Sequence, residues 1–324
     1  MGNFFSSFFS SSRSKEEMTE AQKDKQEQKS FDILKYDGMR ALQCCGKAAY
    51  GIKCLQEALN IREDLETMGL LASGYTMTMQ LDKALEVTNR MVELSPKQVE
   101  LRVSRINLLF MLDRDAEVPA DCKEIIALEP DNYLAYYLMA KAKKSTGNPL
   151  EAIADLTKSI ALKEDFAGSY KVRADILYHL GQGKEALEDV EKAIALMPEE
   201  EECYLLRGQI YVLLGQMQEA AADFEQVIEL NPFNEEAMLW KGRLLEAEGK
   251  IDEALAYLDE WIESSSDCSK AYAERGRIKN LKGDKKGAFD DLKKAIELNP
   301  EGEEAQKFNG QHSNFDNLYK GGIF

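Results

Sequence analysis

Glu201-Glu-Cys-Tyr-Leu-Leu-Arg-Gly-Gln-Ile-Tyr-Val-Leu-Leu-Gly215-Gln-Met-Gln-Glu-Ala220-Ala-Ala-Asp-Phe-Glu-Gln-Val-Ile-Glu-Leu-Asn-Pro232-Phe-Asn234 decides the fold. Apolar residues recur three and four positions apart on either side of Gly215, the period of a helix and not of a strand. The stretch reads as two short helices joined by a tight turn. Pro232 closes it, because proline cannot continue the second helix.

The same unit is written again along most of the chain, and a fixed period is the mark of a repeat architecture. Pro96, Pro130, Pro198, Pro232 and Pro300 lie at multiples of 34 residues from one another, with Glu164 and Ser266 on the two missing rungs. A second ladder runs Ala84, Val118, Ala152, Ala186, Ala220, Ala254 and Ala288. A third runs Ala72, Ile106, Ala140, Ala174, Gly208, Gly242 and Gly276. Turn glycines stand at Gly147, Gly181, Gly215, Gly249 and Gly283, and leucines precede the prolines at Leu94, Leu128, Leu162, Leu196, Leu230 and Leu298. Helix geometry explains each ladder. Small residues let two antiparallel helices approach closely. A glycine after the first helix adopts the left-handed conformation that ends it. One such hairpin buries too little surface alone, so hairpins must stack on one another.

The spacing, the small residues and the terminal Leu-x-Pro resemble the tetratricopeptide repeat family over roughly 240 residues, from Leu65 to Gly302. The resemblance implies an all-α chain, an α-solenoid wound as a right-handed superhelix of seven to eight helix-turn-helix repeats. The units are 65–98, 99–132, 133–166, 167–200, 201–234, 235–268 and 269–302, preceded by a degenerate unit at 32–64. In that unit Cys45-Gly46 matches the turn, and Gly51 fills a small-residue rung one residue out of register. Residues 1–30 read as a disordered polar segment, with folded structure expected from Phe31. Residues 303–324 read as a capping helix and a flexible tail. The family also implies that the first helices line a concave groove that binds a peptide or helix of another protein.

Composition narrows the function. The 41 basic residues against 58 acidic ones give a net charge of −17, which argues against a nucleic-acid surface because the phosphate backbone would be repelled. The six cysteines show no Cys-x-x-Cys spacing and only two histidines exist, so neither a metal site nor a cofactor is expected. The cysteines read as reduced thiols packed as small hydrophobes. No glycine-rich phosphate loop, His-Glu-x-x-His or nucleophile motif occurs, and the chain is expected not to be an enzyme.

A charge pattern runs inside the repeat. Arg105, Arg173, Arg207 and Arg275 precede the small residue of the first helix, and Asp121, Asp189, Asp223 and Asp291 follow sixteen residues later. Partly buried bidentate pairs that fix the helix angle are expected, not carboxylates for acid/base chemistry. Two units depart from the pattern. Val118-Pro119 replaces alanine in one, where first-turn proline is tolerated. The other carries Trp261 on a rung that is otherwise small or aliphatic and ends in Ser264-Ser265-Ser266-Asp267, which predicts a wider helix spacing and a softer joint.

Given inward-facing first helices, the groove would be lined by Asn107, Phe110, Tyr137, Lys141, Lys144, Lys171, Asp175, Tyr178, Leu239, Arg243, Lys270 and Arg277. This lining is more basic than the whole chain and suits an acidic peptide with aromatic or aliphatic anchors. A co-chaperone's carboxylate clamp is disfavoured, since Asn107 is followed by Leu138 and Gly168 where the family's clamp needs asparagine and lysine.

The amino terminus has the Met-Gly-x-x-x-Ser form of an acylation site at Gly2, and Phe4, Phe5, Phe8 and Phe9 would share one side of a helical turn. The preferred reading is a cytoplasmic, non-enzymatic scaffold that binds a protein partner. The alternative is a membrane-associated adaptor tethered through residues 4–9.

Overall fold

The structure, a computed structural model, describes residues 20–44, 46–302 and 305. Among them the chain forms sixteen α-helices and no strand. They fall into two units, one ending at Gly147 and the other beginning at Asn148. The first unit holds α1 (Glu20–Leu42), α2 (Ala48–Ile61), α3 (Leu65–Met77), α4 (Leu81–Leu94), α5 (Val99–Met111), α6 (Val118–Leu128) and α7 (Tyr133–Ser145). The second holds α8 (Pro149–Leu162), α9 (Ala167–His179), α10 (Gly183–Leu196), α11 (Glu201–Leu213) and α12 (Met217–Leu230). It continues with α13 (Glu235–Ala247), α14 (Ile251–Ser264), α15 (Ser269–Leu281) and α16 (Lys285–Leu298).

In each unit every helix packs on the next in sequence, and first helices of successive hairpins also touch, as α1 with α3, α9 with α11 and α13 with α15. This is the stacked-hairpin order of an all-α repeat solenoid. The cores are made by the ladders. Ala84, Ala186, Ala220, Ala254 and Ala288 are each wholly buried, while Ile106, Val118, Ile210, Phe224 and Leu258 fill the space between helices.

The amino-terminal boundary differs from the sequence expectation. Burial does begin at Phe31, but the helix begins at Glu20, eleven residues earlier. Its first ten residues are exposed. They therefore carry no apolar period, although nearly all are good helix formers. Gln28 ties the extension down by accepting from Arg62 at 2.6 Å, and Arg62 lies over the Phe31 ring. The first hairpin is closer to the repeat than the sequence implied. Gly38 occupies the small-residue rung and faces Gly51 so closely that a Cβ on Gly51 would meet the Gly38 carbonyl at 2.9 Å. One extra residue in the turn, which places Gly46 at φ +78°, accounts for the shifted register. The loop before α3 is correspondingly one residue shorter. The expected acylation site, the phenylalanine cluster, Cys45 and the tail after Gly302 lie outside the described residues, Ala305 apart.

The turn rung holds glycine at positive φ in Gly147, Gly181, Gly215, Gly249 and Gly283, but Met79 (φ 55°) and Asp113 (φ 54°) occupy the same rung in two earlier units. Pro119 also costs α6 its first turn. With no N–H to give the Asp115 carbonyl, the chain makes a 3₁₀ turn over Asp115–Glu117 before the α-helix starts at Val118. Trp261 is buried among Leu258, Ile262 and Cys268, and α13 and α14 keep the 13 and 14 residues of their neighbours. Ser264 donates to the Trp261 carbonyl at 2.8 Å and Ser265 meets Asp267 at 3.1 Å, which closes the turn without proline.

The four Arg–Asp rungs are formed. Arg173 grips Asp189 side-on through Nε (2.6 Å) and Nη2 (2.7 Å), Arg207 grips Asp223 (2.8 and 2.6 Å), and Arg275 grips Asp291 (2.9 and 2.6 Å). Arg105 makes the same pair with Asp121. The carboxylates are buried and saturated by guanidinium, so they are not available for acid/base chemistry. In the unit with Lys241, the ammonium lies 5.2 Å from the Tyr257 ring and 3.4 Å from Glu225, so a cation–π contact replaces the fork. Burial pushes the Tyr257 hydroxyl up to about 12.

Candidate functional site

The site starts from three small residues on the side of α3 that faces the cleft. Gly69, Ser73 and Thr76 occupy the register that holds Tyr137, Lys141 and Lys144 two repeats later. Their size leaves a cleft of about 440 Å³ between α3 and α5, floored by Thr88 and Met91 of α4. The α5 wall is Leu101, Ser104, Asn107, Leu108 and Met111, and Met77 stands at the end of α3. Met77 and Met111 are 62% and 47% exposed, so the rim presents thioethers to solvent.

The cleft is more apolar than its residue names suggest. Each hydroxyl in it donates to the carbonyl one turn back: Ser73 to Gly69 (2.9 Å), Thr76 to Ala72 (2.9 Å), Thr88 to Ala84 (2.8 Å) and Ser104 to Glu100 (2.9 Å). What faces the cleft is mostly methyl and methylene surface. Among the described residues the Asn107 side-chain amide makes no hydrogen bond, and it remains available at the α5 wall.

Gly69 itself is not required by packing. A Cβ there would meet only the Met91 methyl, at an ordinary 3.6 Å. At Gly208 the contrast is sharp, because a Cβ would come within 2.6 Å of the Phe224 ring.

Beside the cleft, Lys141 on α7 lies 4.9 Å from the Phe110 ring centroid and 5.9 Å from that of Tyr137. Both rings are half-buried, and Lys141 is exposed. Among the described residues Lys141 has no carboxylate partner. The first unit thus brings together Asn107, Phe110, Tyr137 and Lys141 of the expected groove, with Lys144 exposed one turn further along α7.

The expected residues of the second unit behave differently. Lys171 pairs with Glu200 at 2.9 Å and Glu202 at 2.7 Å. Burial would lower its pKa, but these carboxylates hold it above the usual lysine range. Lys270 pairs with Glu235 at 3.1 Å, and Arg243 reaches Glu274 at 3.5 Å. Arg277 is held by both Glu274 and Glu246. These four cations are committed to neighbouring helices and create no basic lining. Asp175 sits 3.5 Å from exposed His179, Tyr178 is half-buried with its phenol pKa raised by burial, and Leu239 packs against the core around Leu258. Leu138, which takes the place of a clamp asparagine, is buried in the core.

The residues that sequence reasoning missed are Gly69, Ser73 and Thr76. Their signal was available: three consecutive inner positions of one unit, all small, where other units carry larger side chains.

Among the described residues no three of His, Cys, Asp and Glu are grouped as a metal site would need, and no helix is long and apolar enough to cross a membrane. Stacked hairpins of this kind define an α-helical repeat protein. Models of the tetratricopeptide repeat match residues 133–166, 205–268 and 269–301. These segments of the chain are tetratricopeptide repeats.

Solved structures agree on the fold. A tetratricopeptide repeat protein from Parabacteroides merdae superposes with a TM-score of 0.59 at 18% identity, covering 86% of this chain and 97% of that one. The Cut9–Hcn1 hetero-tetramer of the APC/C gives 0.57 at 16% identity, covering 84% of this chain and 52% of the other. PilW, a type IV pilus biogenesis factor, gives 0.54 at 22% identity, covering 64% and 96%. No curated protein matches the sequence.

Proposed function

We propose that this chain is a non-enzymatic interaction scaffold that takes a peptide or helix of a partner protein on the inner face of its first helices. The observation that carries this reading is the α3–α5 cleft, where small side chains leave apolar volume open and methionines exposed. A monomer has little reason to leave thioethers and a groove of this kind uncovered, and apolar concavities with one or two polar groups are where ligands bind. The partner is a protein segment because the groove runs along helices, with no cluster of reactive groups to act on a small substrate.

Site-specific photocrosslinking in the native host tests the reading. A benzophenone amino acid at Ser73 or Asn107 should give discrete protein adducts, while the same group at exposed Lys123 of α6 should not. Equal adduct formation from the inner and outer positions would overturn it.

A further inference from the structure

The scaffold reading leaves the partner's chemistry open, and four features of the first unit narrow it. Gly69 sits inside a helix, where glycine is unfavourable, yet a side chain there would meet only the Met91 methyl, at an ordinary 3.6 Å. Its smallness serves the cleft and not the helix contact. The hydroxyls of Ser73, Thr76 and Ser104 each spend their one proton on their own backbone, so an acceptor side chain entering the cleft would lose water and find no hydroxyl to donate to it. The rim is methionine, whose flexible thioether adapts to differently shaped apolar groups. Finally, α5 has the cleft on one side and Phe110, with Lys141 over its ring, on the other.

We infer that the cleft and Lys141 together read one partner segment that carries a bulky aliphatic or aromatic side chain and a carboxylate about 10 Å from it, the spacing of adjacent packed helices. This deepens the scaffold reading and rests on it. The apolar side chain fills the space beside Gly69 and Ser104 against the methionines. The carboxylate meets the Lys141 ammonium, which the Phe110 and Tyr137 rings hold in place without neutralising its charge. The Asn107 amide, on the cleft wall one turn of α5 before Phe110, is available to bond the segment's backbone. Charge complementarity selects this occupant over a basic segment. In the second unit Lys171, Arg243, Lys270 and Arg277 are already paired, so the acid-reading function is assigned to the first unit.

Panning a displayed library of random dodecapeptides on the full chain tests this. The expected consensus joins a bulky apolar residue to Asp or Glu. A synthetic peptide of that consensus should lose at least about tenfold in affinity on Ser104→Trp, which fills the cleft. Lys141→Glu should weaken it similarly, and exchanging the peptide's acid for lysine should restore binding to that variant. Circular dichroism establishes that both variants keep the wild-type helix content. Selected peptides that bind Ser104→Trp as tightly as the wild type, but are lost on Gln209→Trp in the second unit, would overturn the cleft and leave the scaffold reading standing. A consensus without acid, or one indifferent to Lys141→Glu, overturns the charge assignment. Peptides that bind only after removal of residues 1–12 identify the chain's own amino terminus as occupant and overturn the proposal. No enrichment at all overturns both readings.

Discussion

Arg173 grips Asp189 side-on, with Nε and Nη2 at 2.6 and 2.7 Å from the two carboxylate oxygens, while its remaining Nη1 reaches back 2.9 Å to Thr157. One planar group therefore joins both helices of its own repeat to the second helix of the preceding one. Arg275 repeats the arrangement with Asp291 and Asp259, and Arg105 with Asp121 and Asn89. The fork fixes three helices in angle and register, and arginine's rigid plane is what permits it.

Because Asp189 is buried, removing its partner should cost far more than removing the pair. Arg173→Leu alone is expected to destabilise the chain by about 3–5 kcal/mol, since an uncompensated carboxylate remains inside. Arg173→Leu with Asp189→Val should recover most of that loss. The chain already uses this combination at Leu71 and Val87 on the same rungs. Urea unfolding of the two variants and the wild type checks the order. A double variant as unstable as the single one would show that the ion pair itself stabilises the joint.

Asp64 gives the joint before α3 a pH dependence. Burial raises its pKa, but the Thr67 hydroxyl and N–H and the Lys35 ammonium more than offset this and hold it down to about 2. A carboxyl depressed below its unfolded value near 4 stabilises the fold above that value and loses the contribution as pH falls toward 2. With the side chain about a quarter exposed, solvent screening limits the effect to roughly 1–2 kcal/mol. Asp64→Asn should therefore be less stable than the wild type at pH 6, with the gap narrowing at pH 3. Urea midpoints at the two pH values measure it, and a constant gap would exclude Asp64 as the source.

Met79 stands on the turn rung that glycine fills in five later units, at φ 55°. A side chain in the left-handed region costs about 1–2 kcal/mol, and at 70% exposure this one recovers little by packing. Met79→Gly should raise the thermal midpoint by a few degrees. Asp113→Gly should gain less, because aspartate tolerates that conformation better. A fall in midpoint for Met79→Gly would mean that methionine makes contacts worth more than the strain.

The repeat was legible because its signals are local and redundant: a small residue, a glycine and a proline each recur at fixed spacing for separate physical reasons. The Arg–Asp rungs were legible for the same cause, since complementary charges sixteen residues apart recur in four units. The binding face was less so. Lys171, Arg243, Lys270 and Arg277 have the right register but meet carboxylates roughly 30 residues distant in three of the four cases, a pairing that no local pattern announces. The start of α1 was missed because its first ten residues face water and bury nothing, so hydrophobic period had nothing to report. The cleft was missed because it is made of what α3 lacks.

Two glycines on first helices should answer opposite ways to the same added methyl group. At Gly208 the methyl would lie 2.6, 2.9 and 3.0 Å from three atoms of the Phe224 ring. That ring is fully buried and stacked on Trp240 at 5.7 Å, so it cannot retreat without moving a second aromatic. Gly208→Ala should cost about 1–3 kcal/mol despite alanine's better helix propensity. At Gly69 the methyl meets only the Met91 terminus, at van der Waals distance, and the propensity gain of up to about 1 kcal/mol should appear almost whole. Denaturant midpoints of the two alanine variants decide the matter. If Gly69→Ala were destabilising, the glycine would be a packing residue like Gly208. If it stabilises, the chain keeps a weaker helix there for the sake of the open cleft, as functional sites commonly do.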